Sequence, residues 1–170
     1  MIVLIAGSSH TGKTALAQRL LEKYKFPYLS IDHLKMGLIR SNQTTINVCD
    51  DEKLTPYLWS IVKEIVKTAI ENGQNLIVEG CYIPFDWEKD FSEKYLKQIK
   101  YYCLIMSKDY IQKCFSDILA NESVVEQRLI SGDLTQEDLI DENENNLLIC
   151  KKYNLNYILI DKEYKVDIKL

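Results

Sequence analysis

Gly7-Ser8-Ser9-His10-Thr11-Gly12-Lys13-Thr14 fits the phosphate-binding pattern G-x-x-x-x-G-K-[ST] at every fixed position. Its flanks decide the fold. Met1-Ile2-Val3-Leu4-Ile5-Ala6, just before it, is an apolar run of strand length with β-branched residues inside. Thr14 to Leu21, just after it, reads as a helix with Leu16, Leu20 and Leu21 on one face. Strand, glycine loop and helix N-terminus are the parts a phosphate cradle needs. Gly7 and Gly12 open φ values closed to other residues and let the backbone approach an anion. The loop N–H groups, across Ser8, Ser9, His10 and Thr11, then form a nest for phosphate oxygens. The helix N-terminus adds partial positive charge at the same place. Lys13 supplies a mobile cation for the outer phosphates, and the Thr14 hydroxyl is a candidate Mg²⁺ ligand.

Outward from the loop, four more apolar runs read as strands: Phe26–Ile31, Asn75–Gly80, Ile99–Met106 and Tyr157–Asp161. Asn75–Gly80 has no polar alternation, as expected of a strand covered on both faces. Helical spacing fills the intervals. A short helix opens at Asp32. A longer one is capped by Thr55, with Pro56 in its first turn, and runs to about Asn72. Asp86 to about Lys97 reads as a short helix, and 109–119 as another, capped by Ser107 or Asp109. A second piece covers roughly 121–130, and a long helix runs from Leu134 to about Tyr153. The apolar side of that last helix is Leu139, Ile140, Leu147, Leu148 and Cys150. Strands alternating with helices predict an α/β three-layer sandwich around a five-stranded parallel sheet, with helices on both faces. Ligands in such sheets bind at the carboxyl ends of the strands.

The chain's 170 residues make one domain. Two segments stand out: an acceptor-side stretch at about 32–55 and a lid at about 107–133. A net charge of −4 argues against a nucleic-acid or anionic-membrane partner, which calls for a basic face. The apolar start is too short to span a bilayer and lacks the basic region of a signal peptide. Five cysteines with no C-x-x-C pair predict neither disulfides nor zinc. They read as reduced and mostly buried in a cytoplasmic protein.

Asp32 ends the second strand, which is expected to lie beside the phosphate-loop strand, and opens a helix. Besides capping, it could take the proton of an acceptor hydroxyl or hold a magnesium-bound water. Glu79 closes the third strand and is a candidate Mg²⁺ ligand on the substrate side. Arginine suits phosphate chemistry, and only Arg19, Arg40 and Arg128 are present. Arg19 falls on the first helix and reads as surface. Arg40 falls on the acceptor side, and Arg128 in the lid segment, where it could stabilise charge in phosphoryl transfer; a solvated helix face is the alternative for either.

The chain resembles a small P-loop kinase, of the nucleotide-kinase-like fold. Leu29-Ser30-Ile31-Asp32-His33-Leu34 resembles the strand-two Asp segment of zeta-toxin and chloramphenicol phosphotransferase enzymes. Val78-Glu79-Gly80-Cys81-Tyr82-Ile83-Pro84 resembles the E-G-x-x-x-P stretch of 2-phosphoglycerate kinases. The resemblance implies ATP and Mg²⁺ as cofactors and a small-molecule acceptor, a hydroxyl in preference to a phosphate, for a monomer or homodimer. A zeta-toxin role would further imply a toxin–antitoxin partner. Lys35 stands where adenylate-kinase-like enzymes carry an arginine, and the lid has Arg128 alone. Both departures point away from a nucleoside-monophosphate acceptor, which stays as the alternative beside a non-catalytic ATP-binding protein.

Overall fold

The structure is a computed structural model that describes residues 1–120 and 134–170. Arg128, with the helical piece expected at 121–130, lies outside the described residues. Five strands, β1 (Ile2–Gly7), β2 (Tyr28–Ser30), β3 (Leu76–Glu79), β4 (Ile99–Met106) and β5 (Tyr157–Ile160), form one sheet in the order β2-β3-β1-β4-β5. Every pairing is parallel. This is the α/β sandwich the apolar runs predict. β1 is buried along its whole length, and its residues alternate between two cores. Ile2, Leu4 and Ala6 join the core under α3 (Asp51–Glu71). Val3 and Ile5 join the core under α1 (Lys13–Tyr24) and α5 (Lys108–Ala120). Period-2 alternation on a strand covered from both sides is why the run carries no polar residue. No helix among the described residues is long and apolar enough to cross a membrane.

The sheet order corrects one expectation that bears on the site. Asp32 follows a strand expected to lie beside β1, but β3 intervenes: β2 pairs with β3, and β3 with β1. The helix expected from Thr55 begins earlier, at Asp51, and Asp50 caps it by accepting from Lys53 N at 3.3 Å. Asp51 and Glu52 in its first turn suit the positive end of the helix dipole, so Pro56 falls inside the helix rather than at its start. The stretch 86–97 is a 3₁₀ turn, Trp87–Asp90, then a single turn, α4 (Glu93–Leu96). α6 (Gln136–Lys152) is capped by Thr135 in a reciprocal capping box with Asp138. Its buried side carries Asn143 rather than Leu148, which is 66% exposed. Of the cysteines only Cys103 and Cys150 are buried, while Cys49 and Cys81 are exposed; all five are free. Ser107 is the α5 cap, accepting from Tyr110 N at 3.1 Å.

Asp90 ties the 3₁₀ turn to α3. It accepts from Trp59 Nε1 and from Lys63 Nζ, both at 2.8 Å. Burial raises its pKa, but these two donors outweigh burial and hold the carboxyl below its usual range. A depressed carboxylate contributes stability above its unfolded pKa of about 3.9 and loses it as pH falls through the lower folded value. Asp90→Ala leaves the Trp59 N–H and the Lys63 ammonium without partners and is expected to destabilise by about 1–3 kcal/mol. Urea titration at pH 7 checks the size. Repetition at about pH 3 is expected to show a smaller gap between variant and wild type.

Candidate active site

β1 runs straight into the glycine loop. Gly7 has φ 137°, and a Cβ there would run into the Leu104 carbonyl oxygen of β4, so the chain turns only without a side chain. The loop closes on itself from within. Ser8 O accepts from Thr11 Oγ1 at 2.9 Å and from Lys13 Nζ at 2.7 Å. Ser8, Thr11 and Lys13 are all buried. His10 takes a left-handed backbone conformation, φ 65°. From α6, Asn146 Nδ2 donates to Ser8 Oγ at 2.8 Å. Thr14 lies in the first turn of α1, half-buried.

Register brings the carboxylates to the same end of the sheet. Glu79 pairs with Ile5 of β1 on one side and Ser30 of β2 on the other. It is 1% exposed, so it is a buried strand end rather than a solvated one. Asp32 lies in the first turn of α2 (Ile31–Arg40), which starts where β2 stops. Lys13, Glu79 and Asp32 thus stand at the carboxyl ends of three neighbouring strands, where open parallel sheets gather their ligands.

Beyond Asp32 three segments meet in a polar wall. Lys35 Nζ lies 3.3 Å from Asp32 Oδ1, one helical turn away, and donates to the Tyr82 hydroxyl at 2.7 Å. Tyr82 in turn donates to Asp51 Oδ1 at 2.8 Å. The Lys35 ammonium also sits 4.9 Å from the Tyr82 ring centroid. Burial, then the neighbouring Cys81 and Asp51, push the Tyr82 phenol far up, so it remains a donor. Cys81 follows β3 two residues after Glu79, and desolvation pushes its thiol up to about 11, with Lys13 pulling it down and Asp32 pushing it further up. That keeps it a protonated thiol, not a nucleophile. Glu142 of α6 is held above the usual carboxyl range by burial, against the lowering pull of Ser8 and Lys13.

Loop, Lys13, Thr14, Glu79 and Asp32 are therefore gathered at one end of the sheet. Arg40 is not: it is exposed at the far end of α2, about 12 Å along the axis from Asp32 at 1.5 Å per residue. Lys35, Asp51, Glu142 and Asn146 join them without having been singled out for it from the sequence; Tyr82 joins them from the Tyr82–Trp87 loop, whose aromatics the sequence offers either as lining of an acceptor pocket or as cover for the core. Lys35 had one signal, its place three residues after Asp32. Asn146 and Glu142 had none, since both sit in the unbroken polar run Asp141–Asn146.

The donor set fits a metal-bound nucleotide. Mg²⁺ is held by few protein groups plus phosphate oxygens and waters. A hydroxyl, Thr14, and a buried carboxylate, Glu79, flanking a phosphate loop match that habit. Among the described residues no group of three or more His, Cys, Asp or Glu could cage a metal by itself.

A family model, that of the Zeta toxin family, matches residues 1–137. No curated protein matches the chain. Among solved structures, a Chloroflexus aurantiacus J-10-fl protein provisionally assigned as a kinase superposes with TM-score 0.57 at 16% identity, over 98% of this chain and 91% of that one. Shikimate kinase from Acinetobacter baumannii, solved with shikimate, gives 0.55 at 15%, over 96% and 84%. A gluconokinase from Sinorhizobium meliloti 1021 gives 0.51 at 12%, over 94% and 81%. At such identities the likeness is one of fold: the P-loop kinase arrangement.

Proposed function

The chain belongs to the zeta toxin family, and from that premise we propose that it is a Mg²⁺- and ATP-dependent phosphotransferase acting on a hydroxyl of a small molecule. One observation carries the reading. Lys13, Glu79 and Asp32 stand at the ends of three adjacent strands, an order that suits a donor phosphate, a metal and an acceptor in turn. The loop N–H groups and Lys13 bind the phosphates. Thr14 and Glu79 would hold Mg²⁺, which would supply neutralisation of the charge on the transferring group. Asp32 receives the proton of the acceptor hydroxyl.

The wall beside Asp32 favours a hydroxyl over a phosphate acceptor. A phosphate needs cations free to meet it, usually bidentate arginines. Here Lys35 is already engaged by Asp32 and Tyr82, Asp51 adds a second carboxylate, and Arg40 is distant. The test is transfer of label from γ-labelled ATP to a panel of polyols, amino sugars and nucleosides, run beside AMP, CMP and UMP. Transfer to a neutral hydroxyl compound is expected. Transfer confined to the monophosphates would replace the hydroxyl reading with a nucleotide kinase. ATP binding with no turnover on any acceptor would favour a regulatory module.

The wall yields a prediction of its own. Tyr82→Phe removes the acceptor of the Lys35 hydrogen bond and the donor to Asp51. It is expected to raise KM for the acceptor by about tenfold, one or two hydrogen bonds' worth, with KM for ATP unchanged. Steady-state kinetics on the first acceptor found checks it. Equal change in both constants would make Tyr82 a general support of the cleft.

A further inference from the structure

The segment after β5 folds back along α1 and reaches the phosphate loop. Tyr164 there donates its hydroxyl to two loop carbonyls, Gly12 O at 3.1 Å and Thr11 O at 3.3 Å. In a trans peptide the C=O and N–H groups point in opposite directions. Thr11 O shares its peptide with the Gly12 N–H, and Gly12 O shares its peptide with the Lys13 N–H. Gly12 O also accepts from Leu16 N at 2.9 Å, the first bond of α1, so the phenol is a second hold on that peptide; by gripping Thr11 O as well it fixes both N–H groups turned the other way. Those are two of the N–H groups that a phosphate-binding nest uses.

The tyrosine is itself held in place. The Arg19 guanidinium lies 5.7 Å from its ring centroid and donates to Val166 O at 3.1 Å. Val166 and Ile168 are buried in the core that α1 also lines. Room for the phenol comes from Gly12, where a Cβ would collide with the Tyr164 hydroxyl; the residue also has φ 80°. The second fixed glycine of the pattern thus serves two ends, backbone conformation and admission of a side chain from outside the loop. Tyr164 lies beyond residues 1–137, the stretch that the family model matches.

We propose that Tyr164 is a positioning residue of the nucleotide site, which presets the Gly12 and Lys13 N–H groups for phosphate by holding their partner carbonyls from behind. The inference rests on the phosphotransferase reading only in taking the loop to bind a nucleotide. Preset donors bind an anion more tightly than donors that must first be ordered.

Tyr164→Phe tests it, because phenylalanine keeps the ring against Arg19 and removes the hydroxyl alone. The probe is Mg·ADP, titrated calorimetrically into wild type, Tyr164→Phe and Ile70→Val. Ile70 lies in the core across the sheet and serves as a control for general loss of stability. Melting temperatures without ligand are recorded for all three. Tyr164→Phe is expected to raise the Kd for Mg·ADP about fivefold, a hydrogen bond's worth, while Ile70→Val lowers the melting temperature and leaves Kd unchanged. A Kd within twofold of wild type in Tyr164→Phe overturns the proposal, as does an equal rise in both variants. Failure of the wild type itself to bind Mg·ADP would fell the phosphotransferase reading, and the Tyr164 role with it.

Discussion

Lys13→Ala is expected to erase nearly all of the thermal stabilisation that Mg·ATP gives the wild-type protein. A ligand present at about a hundredfold its Kd stabilises the native state by about 2.7 kcal/mol. For a chain of this size that raises the melting temperature by about 5–11 °C. Lys13 is buried, and its ammonium reaches the loop interior, donating to Ser8 O at 2.7 Å. With phosphate in the loop the same group meets charged oxygens, an interaction about twice as strong as a neutral hydrogen bond. Its loss weakens binding on the order of a hundredfold, since hydrogen bonds to charged groups contribute about 1.5–3 kcal/mol. At the same ATP concentration the variant should then gain only about 1 °C. Each protein is compared with its own unliganded melt, so any change in intrinsic stability cancels. An equal rise in wild type and variant would remove the nucleotide from this loop.

Asp32→Asn is the second large effect, and it is one of turnover. A positioned carboxylate speeds proton transfer by about 10²–10⁴-fold, so the variant is expected to lose that much phosphorylation of a hydroxyl acceptor. ATP binding should be retained, because Asp32 follows β2, with β3 between it and the loop strand. The fold should also survive. Asp32 is part of a partly exposed ion pair with Lys35, with the Asp32 side chain 29% exposed, and such pairs contribute about 0–1 kcal/mol. A Mg²⁺ titration separates two roles. Activity restored at high Mg²⁺ would mean that Asp32 holds the metal's water. Activity unchanged at ordinary Mg²⁺ would remove the base and favour a phosphate acceptor, which needs none.

The part of this site that lies along the chain was legible in the sequence. Gly7 to Thr14 announces itself because its pattern is local, and its flanking strand and helix follow from the periodicity of adjacent residues. Asp32 and Glu79 were found because each ends an apolar run, and strand ends converge in parallel sheets. Their order across the sheet was not legible. Nothing in Phe26–Ile31 or Asn75–Gly80 says which run pairs with β1, because pairing is decided between distant segments. The Lys35–Tyr82–Asp51 wall was hidden for the same reason, being assembled from α2, the loop after β3 and the start of α3. Tyr164 gave no signal at all, since its role rests on touching backbone carbonyls more than 150 positions earlier. The start of α3 was misplaced for a local reason: Pro56 mimics a helix start, while Asp50 supplies the actual cap. Leu148 was misassigned because it neighbours Leu147 in sequence but points about 100° away on the helix.

The central seat of β1 also has a cost during synthesis on the ribosome. Ile2 finds its neighbour Leu76 only 74 positions later in the chain, and its other neighbour, Ile99, later still. At about 5–20 residues per second, the first of these partners leaves the ribosome some 4–15 s after β1 has been made. For that interval the most thoroughly buried strand of the finished protein is a bare, uncharged, β-branched run, Ile2-Val3-Leu4-Ile5-Ala6. Such a segment readily pairs with another chain. The emerging polypeptide is therefore most exposed to aggregation, and most in need of chaperone cover, before residue 80 appears.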